Sequence, residues 1–194
     1  GMGEMDEIVK AVRTIHKAGN QNVCLLHCTS IYPPEISTIR LKNILGLREH
    51  FPDCAIGYSD HSIGIEIASA AVALGACMIE KHFTLDNSKI GIDNQMATEP
   101  GEMAKLVKNC HNVQLALGSE ERIVFSAEIE QRQNMRRSIV VTHDLFTGDI
   151  IEPEDLDVKR PGTGLPPEKM NHLVGKILKR DVVGDTLITE ADID

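Results

Sequence analysis

Two histidines, His61 and His82, follow apolar runs whose length and composition are typical of buried β-strands. The carboxyl ends of neighbouring parallel strands lie at one edge of a sheet, so we expect the two imidazoles to lie close together. Two imidazoles with acidic neighbours, Asp60 and Glu80, suit a divalent transition metal that keeps open positions for water and substrate. The alternative is two hydrogen-bonded strand-end residues that bind no metal.

Other side chains that could take part in chemistry lie near these histidines in the sequence. Asp93, in the loop after the third strand, could bind sugar hydroxyls or transfer a proton, or it could be an ordinary turn aspartate beside a glycine. Lys81 could neutralise a carboxylate or a phosphate, or be a solvated or structural charge. The hydroxyls of Ser30, Ser59 and Thr29 could donate to phosphate oxygens, although such residues are common at strand ends.

A further candidate, Arg160, lies much later, in the segment Lys-Arg-Pro-Gly-Thr-Gly at 159–164. Proline and glycine make a stiff turn, and a rigidly presented guanidinium is a good clamp for an amide oxygen or an anion. The alternative is an arginine on a surface turn with no ligand.

Alternating helices and strands must position the first group of residues. Apolar residues recur at helical spacing in the predicted helices, while the predicted strands are short apolar runs. This alternation predicts an α/β fold with parallel strands. The predicted helices cover residues 4–18, the region of 39–47, 65–74 and 100–117, and the predicted strands cover 23–29, 55–59 and 77–83.

The composition and the pattern of the sequence change near residue 119. Residues 119–137 are charged and predict a linker helix. From 138 to 194, short β-rich runs alternate with turn residues, which indicates a small separate module. We therefore expect a first domain over 1–118, a linker helix over 119–137 and a second domain over 138–194.

Composition excludes some classes of protein. The 194 residues carry a formal net charge of −9, which argues against binding to a nucleic-acid backbone or to an anionic membrane surface. No apolar run approaches the roughly 18 residues of a membrane span. The five cysteines have irregular spacing, which predicts reduced thiols rather than disulfides or a zinc ribbon. We expect a cytoplasmic protein.

Three motifs in order then suggest a family. They are Ile-Gly-Tyr-Ser-Asp-His at 56–61, Ile-Glu-Lys-His-Phe-Thr at 79–84 and Val-Lys-Arg-Pro-Gly-Thr-Gly at 158–164, and Leu-Leu-His-Cys-Thr-Ser at 25–30 adds a fourth. Together they resemble the N-acetylneuraminate (sialic acid) synthase family over nearly the whole chain. In that family a TIM barrel is followed by a linker and by a SAF domain similar to type III antifreeze protein. The resemblance implies that 1–118 is a partial TIM barrel, its last three strands, and that 138–194 is the SAF domain.

The resemblance also implies roles for the candidate residues. His61 and His82 match the ligands of a divalent metal, Mn²⁺ or Mg²⁺. Glu80 and Asp93 match acidic residues near metal and sugar, and we predict them to be catalytic. The predicted substrate-binding residues are Ser30, Tyr32 and Ser59 near phosphoenolpyruvate, Lys81, and Arg160, which in the family reaches the active site of a neighbouring subunit and contacts the N-acyl group.

The implied activity is condensation of phosphoenolpyruvate with an N-acylated amino sugar, giving a sialic acid-type nonulosonic acid and phosphate. The implied assembly is a homodimer whose SAF domain crosses to the partner. Two departures limit the resemblance: Asn94 stands where the family often has histidine, and the family's N-terminal half has no counterpart here. Alternatives are therefore a catalytically inactive fragment that serves as a SAF-type binding or assembly module, or a two-histidine metallohydrolase.

Overall fold

The computed structural model describes all 194 residues and divides into two compact units, Gly1–Glu120 and Glu121–Asp194. The first unit contains a parallel sheet with helices, which confirms the predicted α/β class, and the second contains a small antiparallel sheet. The predicted domain boundaries at 118 and 138 stay a prediction. None of the helices combines the length and apolarity that a membrane-spanning segment requires.

The sheet of the first unit has three strands in the order β1-β2-β3, all parallel. The central strand β2 is buried along most of its length, whereas β1 and β3 are edge strands. β3 is shorter than the predicted strand over 77–83. The strands are β1 (Cys24–Cys28), β2 (Ala55–Asp60) and β3 (Ile79–Lys81).

Helices connect these strands and pack against the sheet. The core between them includes Val12, Ile44, Ile56 and Tyr58, all less than 6% exposed. The long helix α5 starts with proline at its first position, where the missing N–H costs nothing, and it ends at Gly118 as predicted. The helices are α1 (Met5–Lys17), α2 (Ile36–Ile39), α3 (Asn43–His50), α4 (Glu66–Ala73) and α5 (Pro100–Leu117).

The helical region predicted around residues 39–47 is two helices rather than one. Arg40 adopts a left-handed conformation, with φ of 52°, directly after α2. A left-handed residue cannot continue a right-handed helix, so the chain turns before α3 begins. Ile39 and Ile44, on either side of this break, are both buried in the core. The turn therefore lets both short helices direct an isoleucine inward.

The second unit combines few regular elements with an apolar core. β4 and β5 pair antiparallel, and single bridges such as Leu145↔Val182 and Ile150↔Ile177 join the surrounding loops. Ile139, Val141 and Ile188 are fully buried in this core. The predicted linker helix is shorter than 119–137, and it lies within this unit. The elements are α6 (Ser126–Met135), β4 (Ser138–Val141), β5 (Leu156–Lys159) and α7 (Met170–Leu173).

Candidate functional site

The carboxyl ends of β2 and β3 bring His61 and His82 together. Their ring centroids lie 5.1 Å apart and the ring planes are almost perpendicular, at 87°. The ring of Tyr32, which follows β1, lies 4.3 Å from that of His61 and 5.8 Å from that of His82. All three strands of the parallel sheet thus contribute one ring to the same edge.

An oxygen atom lies near the Nδ1 atom of each imidazole, as a hydrogen-bond partner of His61 and at ion-pair distance from His82. His61 Nδ1 lies 3.0 Å from the carbonyl oxygen of Thr29, and His82 Nδ1 lies 3.5 Å from a carboxylate oxygen of Asp93. A carbonyl oxygen only accepts, so the bond from His61 requires a proton on Nδ1 and leaves the lone pair on Nε2. An acceptor on the far nitrogen of each ring is the usual support of a metal-bound histidine.

These two side chains fit a divalent metal with a sparse protein ligand set. No group of three or more histidine, cysteine, aspartate or glutamate side chains is arranged to hold a metal. Two imidazoles would leave most coordination positions to water and substrate, as a catalytic metal requires. That His61 and His82 bind a metal, and that the metal is Mn²⁺ or Mg²⁺, stays a prediction.

Ser59 and Glu80 face each other across β2 and β3. They are direct partners in the register of the two strands, and the Ser59 hydroxyl donates to Glu80 Oε1 at 2.6 Å. Ser59 is buried at 4% exposure, while Glu80 is exposed. The bond fixes one oxygen of the Glu80 carboxylate and leaves the other available to a ligand. The predicted catalytic role of Glu80 and the predicted substrate contact of Ser59 both remain predictions.

Lys81 forms a buried ion pair with Asp60, so it neutralises a carboxylate of the chain itself, although the sequence did not identify Asp60 as the partner. The distance is 2.8 Å, and the two side chains are 2% and 0% exposed. Lys81 Nζ also donates to the carbonyl oxygen of Ser62 at 2.7 Å. Two of its three N–H groups are therefore occupied within the chain. The predicted contact of Lys81 with substrate would have to use the third.

Asp60 is the centre of this buried network. Besides Lys81, it accepts hydrogen bonds from the Tyr58 hydroxyl at 3.1 Å, from the Ser62 amide at 2.9 Å and from the Ser62 hydroxyl at 2.7 Å. Burial, and then the neighbouring charge of Asp60, raise the pKa of the Tyr58 phenol well above its usual range. Tyr58 thus stays a hydrogen-bond donor. The network fixes the chain directly before His61 and directly before His82.

Ser30 and Cys28 complete the region beside β1. Cys28 Sγ lies 3.6 Å from Ser30 Oγ and 3.9 Å from His61 Nδ1. Ser30 is partly buried, Tyr32 is half exposed, and both lie on the side of the sheet edge that carries His61. The predicted phosphoenolpyruvate contacts of Ser30 and Tyr32 remain predictions. The sequence did not indicate a role for Cys28 in the site, because a cysteine within a strand is typical of a small core residue.

Arg160 belongs to the second unit and is exposed. Its Nε donates to the carbonyl oxygen of Met135, at the end of α6, with a distance of 3.1 Å. No carboxylate pairs with its guanidinium, in contrast to Arg122 and Arg180, which contact Glu128 and Asp192. The outer N–H groups of Arg160 are therefore free for a ligand.

Comparison with protein families extends this description. The NeuB family model matches residues 1–122, which include His61 and His82. The SAF domain model matches residues 136–194. The chain belongs to the NeuB family. The resemblance found in the sequence is thus confirmed.

Individual relatives of this NeuB-family chain carry related names. The chain is 40% identical to the human N-acetylneuraminate-9-phosphate synthase, over all of this chain and 54% of that protein. It is 38% identical to the N,N'-diacetyllegionaminic acid synthase of Campylobacter jejuni, over 98% of this chain and 57% of that protein. The chain therefore spans about half the length of the curated relatives it matches.

A solved structure has a similar fold over about two thirds of this chain. The N-acetylneuraminic acid synthetase of Leptospira borgpetersenii, determined with citrate, has a TM-score of 0.62 and 40% identity, over 68% of this chain and 45% of that one. The names of these relatives thus refer to different acid products.

Proposed function

We propose that this NeuB-family chain supplies the metal-binding and sugar-binding part of a synthase that condenses phosphoenolpyruvate with an N-acylated amino sugar. The products are a nonulosonic acid and phosphate. One observation carries the proposal: His61 and His82 lie 5.1 Å apart at adjacent parallel strand ends, within the segment that the NeuB family model matches. The synthase names of the relatives support the same reaction class.

The metal site has one chemical task in this proposal. His61 and His82 would hold a divalent cation, which would supply Lewis acidity toward the carbonyl oxygen of the open-chain sugar as C3 of phosphoenolpyruvate bonds to the carbonyl carbon. Thr29 accepts a hydrogen bond from His61 Nδ1 and Asp93 lies near His82 Nδ1, so the Nε2 atoms of both rings are left for a metal. The rings are thus oriented before any ligand arrives, which lowers the reorganisation needed for catalysis.

The remaining polar groups bind the two substrates and move protons. Ser30 and Tyr32 donate to the phosphate and carboxylate of phosphoenolpyruvate, and Ser59, whose only O–H is donated to Glu80, lies beside them as part of the binding site. Glu80, whose carboxylate is held by Ser59, and Asp93, beside His82, accept hydrogen bonds from sugar hydroxyls and take part in proton transfer when water adds at C2 and phosphate leaves with C–O cleavage.

The fold that completes this site is, in the proposal, a TIM barrel of which the first unit is a part. Both edge strands lie beside open grooves of about 640 Å³ along β1 and about 670 Å³ along β3. Unpaired strand edges of this kind are the places where further strands add. The proposed assembly is a homodimer in which the SAF domain of one subunit brings Arg160 to the N-acyl group in the other.

Phosphate release tests the proposal. The purified chain is incubated with phosphoenolpyruvate and either N-acetylmannosamine or a 2,4-diacetamido sugar, with and without Mn²⁺, and manganese binding is measured by calorimetry in parallel. We expect manganese binding that is lost in H61A and H82A and kept in H111A, which removes an exposed histidine of α5. We expect little turnover by the chain alone.

The outcomes separate the alternatives. Equal manganese binding in H61A, H82A and the unsubstituted chain would reject the metal site. Robust turnover would instead show that the chain is a sufficient synthase. Manganese-dependent ester hydrolysis without phosphoenolpyruvate would favour a metallohydrolase, and absence of both manganese binding and turnover would favour a SAF-type assembly module.

A further inference from the structure

Helix α6 has almost nothing to bury. None of its ten residues is buried, and it has no apolar face. A short helix without an apolar face is not stable in water by its own hydrogen bonds. Contacts with neighbouring segments, such as that of Arg122 with Glu128, must therefore hold it in place.

The contacts at the carboxyl end of α6 come from the Arg160 turn, residues 160–164. The last four carbonyl groups of a helix have no partner inside the helix. Here the amide of Gly162 donates to the carbonyl oxygen of Gln133 at 2.7 Å, and Arg160 Nε donates to that of Met135 at 3.1 Å. The positive guanidinium also interacts favourably with the negative end of the helix dipole.

Gly162 permits this close approach because it has no side chain. A Cβ atom at this position would lie 2.6 Å from the Cβ of Arg136 and 2.9 Å from the carbonyl oxygen of Arg132. Neither atom belongs to the mobile end of a side chain, so neither can move away without shifting the helix. Any larger residue at 162 would therefore separate the Arg160 turn from α6.

Ser138 fixes the same turn from its other side. Its hydroxyl, which is fully buried, donates to the carbonyl oxygen of Pro161 at 2.7 Å and accepts from the amide of Gly164 at 2.8 Å. The Arg160 turn is thus bonded both to the end of α6 and to the start of β4.

We propose that α6 and Gly162 are positioning elements for Arg160. A guanidinium is planar, so a bond from Nε to a fixed carbonyl sets the plane of the group and directs its outer N–H groups. In this assignment α6 acts as a support for one arginine rather than as a linker. The assignment rests on the proposed function, in which Arg160 binds the N-acyl group of the sugar.

Hydrogen exchange of the Arg160 Nε–H, followed by NMR on the ¹⁵N-labelled chain, tests the proposal. Arg13, an exposed arginine of α1 without a hydrogen-bond partner, is the internal reference. We expect the Arg160 Nε–H to exchange about tenfold more slowly than that of Arg13, as one charge-assisted hydrogen bond allows. In G162A we expect this protection to vanish, while the amides of Ile139 and Val141 in the core keep theirs.

Two further variants make the result decisive. G46A, a glycine substitution with open space around the added Cβ, should leave the Arg160 signal unchanged. E130P breaks α6 without removing a buried side chain, and it should abolish the protection even if G162A fails to fold. Fast exchange of the Arg160 Nε–H in the unsubstituted chain, or unchanged protection in E130P, would overturn the proposal. Neither measurement uses turnover, so the support of Arg160 and the synthase reaction fail separately.

Discussion

Both units of the chain contain buried carboxylates, but the partners of these carboxylates lie at different distances along the sequence. In the first unit, Asp60 pairs with Lys81 on a neighbouring strand, 2.8 Å away, with both side chains almost fully buried. In the second unit, Asp155 and Asp192 accept N–H groups from Glu152 and Thr189, three residues earlier in the chain, and Asp192 also accepts from the exposed side chain of Arg180. The first pattern joins two strand ends beside the candidate site, and the second closes local turns.

This difference indicates where each unit is vulnerable. The network around Asp60 holds the chain on either side of the histidine pair, so its loss should disturb the unit and the site together. The aspartates of the second unit each stabilise one turn around an apolar core that includes Ile139, Val141 and Ile188. Their loss should therefore cost less and remain local.

The largest expected effect is that of K81M in the first unit. The substitution leaves the buried Asp60 carboxylate without its cation, and breaking a buried pair in this way costs about 3–5 kcal/mol. Urea unfolding monitored by NMR amides of β1 and β2 should show the loss in the first unit alone. The double variant D60N/K81M should recover part of it, because no unpaired buried charge remains.

A matched control lies in the second unit. Lys159 pairs with Asp185 on the surface, where solvent screens the interaction, so K159M should change the unfolding free energy little. If K81M and K159M had equally small effects, the buried ion pair would not support the first unit in the way proposed.

A smaller effect is expected for D192N in the second unit. Burial raises the pKa of Asp192, but hydrogen bonds from Arg180 and Thr189 outweigh burial and hold that pKa below its ordinary value of 3.8. The carboxylate contribution is therefore fully present above about pH 4 and is lost as the pH falls through the lowered pKa. At neutral pH we expect D192N to lower the unfolding free energy by about 1.5–3 kcal/mol.

The pH dependence provides the check. Thermal unfolding of the unsubstituted chain and of D192N, compared between pH 7 and pH 2, should show a difference in the second unit that shrinks in acid. A difference that stays constant over this range would show that the charge of Asp192 does not stabilise its turn.

Sequence patterns predicted the parts of this molecule that depend on local periodicity. Apolar spacing predicts the three parallel strands, helix α5 with its end at Gly118, and the pairing of β2 with β3. The break at Arg40 did not, because a left-handed residue other than glycine has no local signal.

The candidate site shows the same limit. Two imidazoles at adjacent strand ends could be predicted, since parallel register brings such positions together. The bond from His61 to the carbonyl oxygen of Thr29 could not, because a backbone oxygen leaves no mark in the sequence. The sequence did not show that Lys81 pairs with Asp60. Each residue directly precedes one of the histidines, so both were interpreted as parts of the site rather than as partners of each other. The support of Arg160 by α6 depends on a three-dimensional approach that only Gly162 indicates.

The smallest expected effect is that of S59A, and S138A, at another buried serine, is its comparison. Ser59 makes one side-chain bond, to the exposed carboxylate of Glu80, which water can solvate when the hydroxyl is removed. Ser138 bonds both the Pro161 carbonyl and the Gly164 amide, and its loss leaves two backbone groups without partners. We therefore expect S59A to cost about 0.5–1 kcal/mol and S138A about 1–3 kcal/mol of unfolding free energy. Chemical unfolding of both variants tests this order. If S59A proved the more destabilising, Ser59 would support the fold rather than hold Glu80 for a ligand. The two serines would then not show the difference proposed here, in which polar bonds of the first unit form the site and those of the second unit close turns.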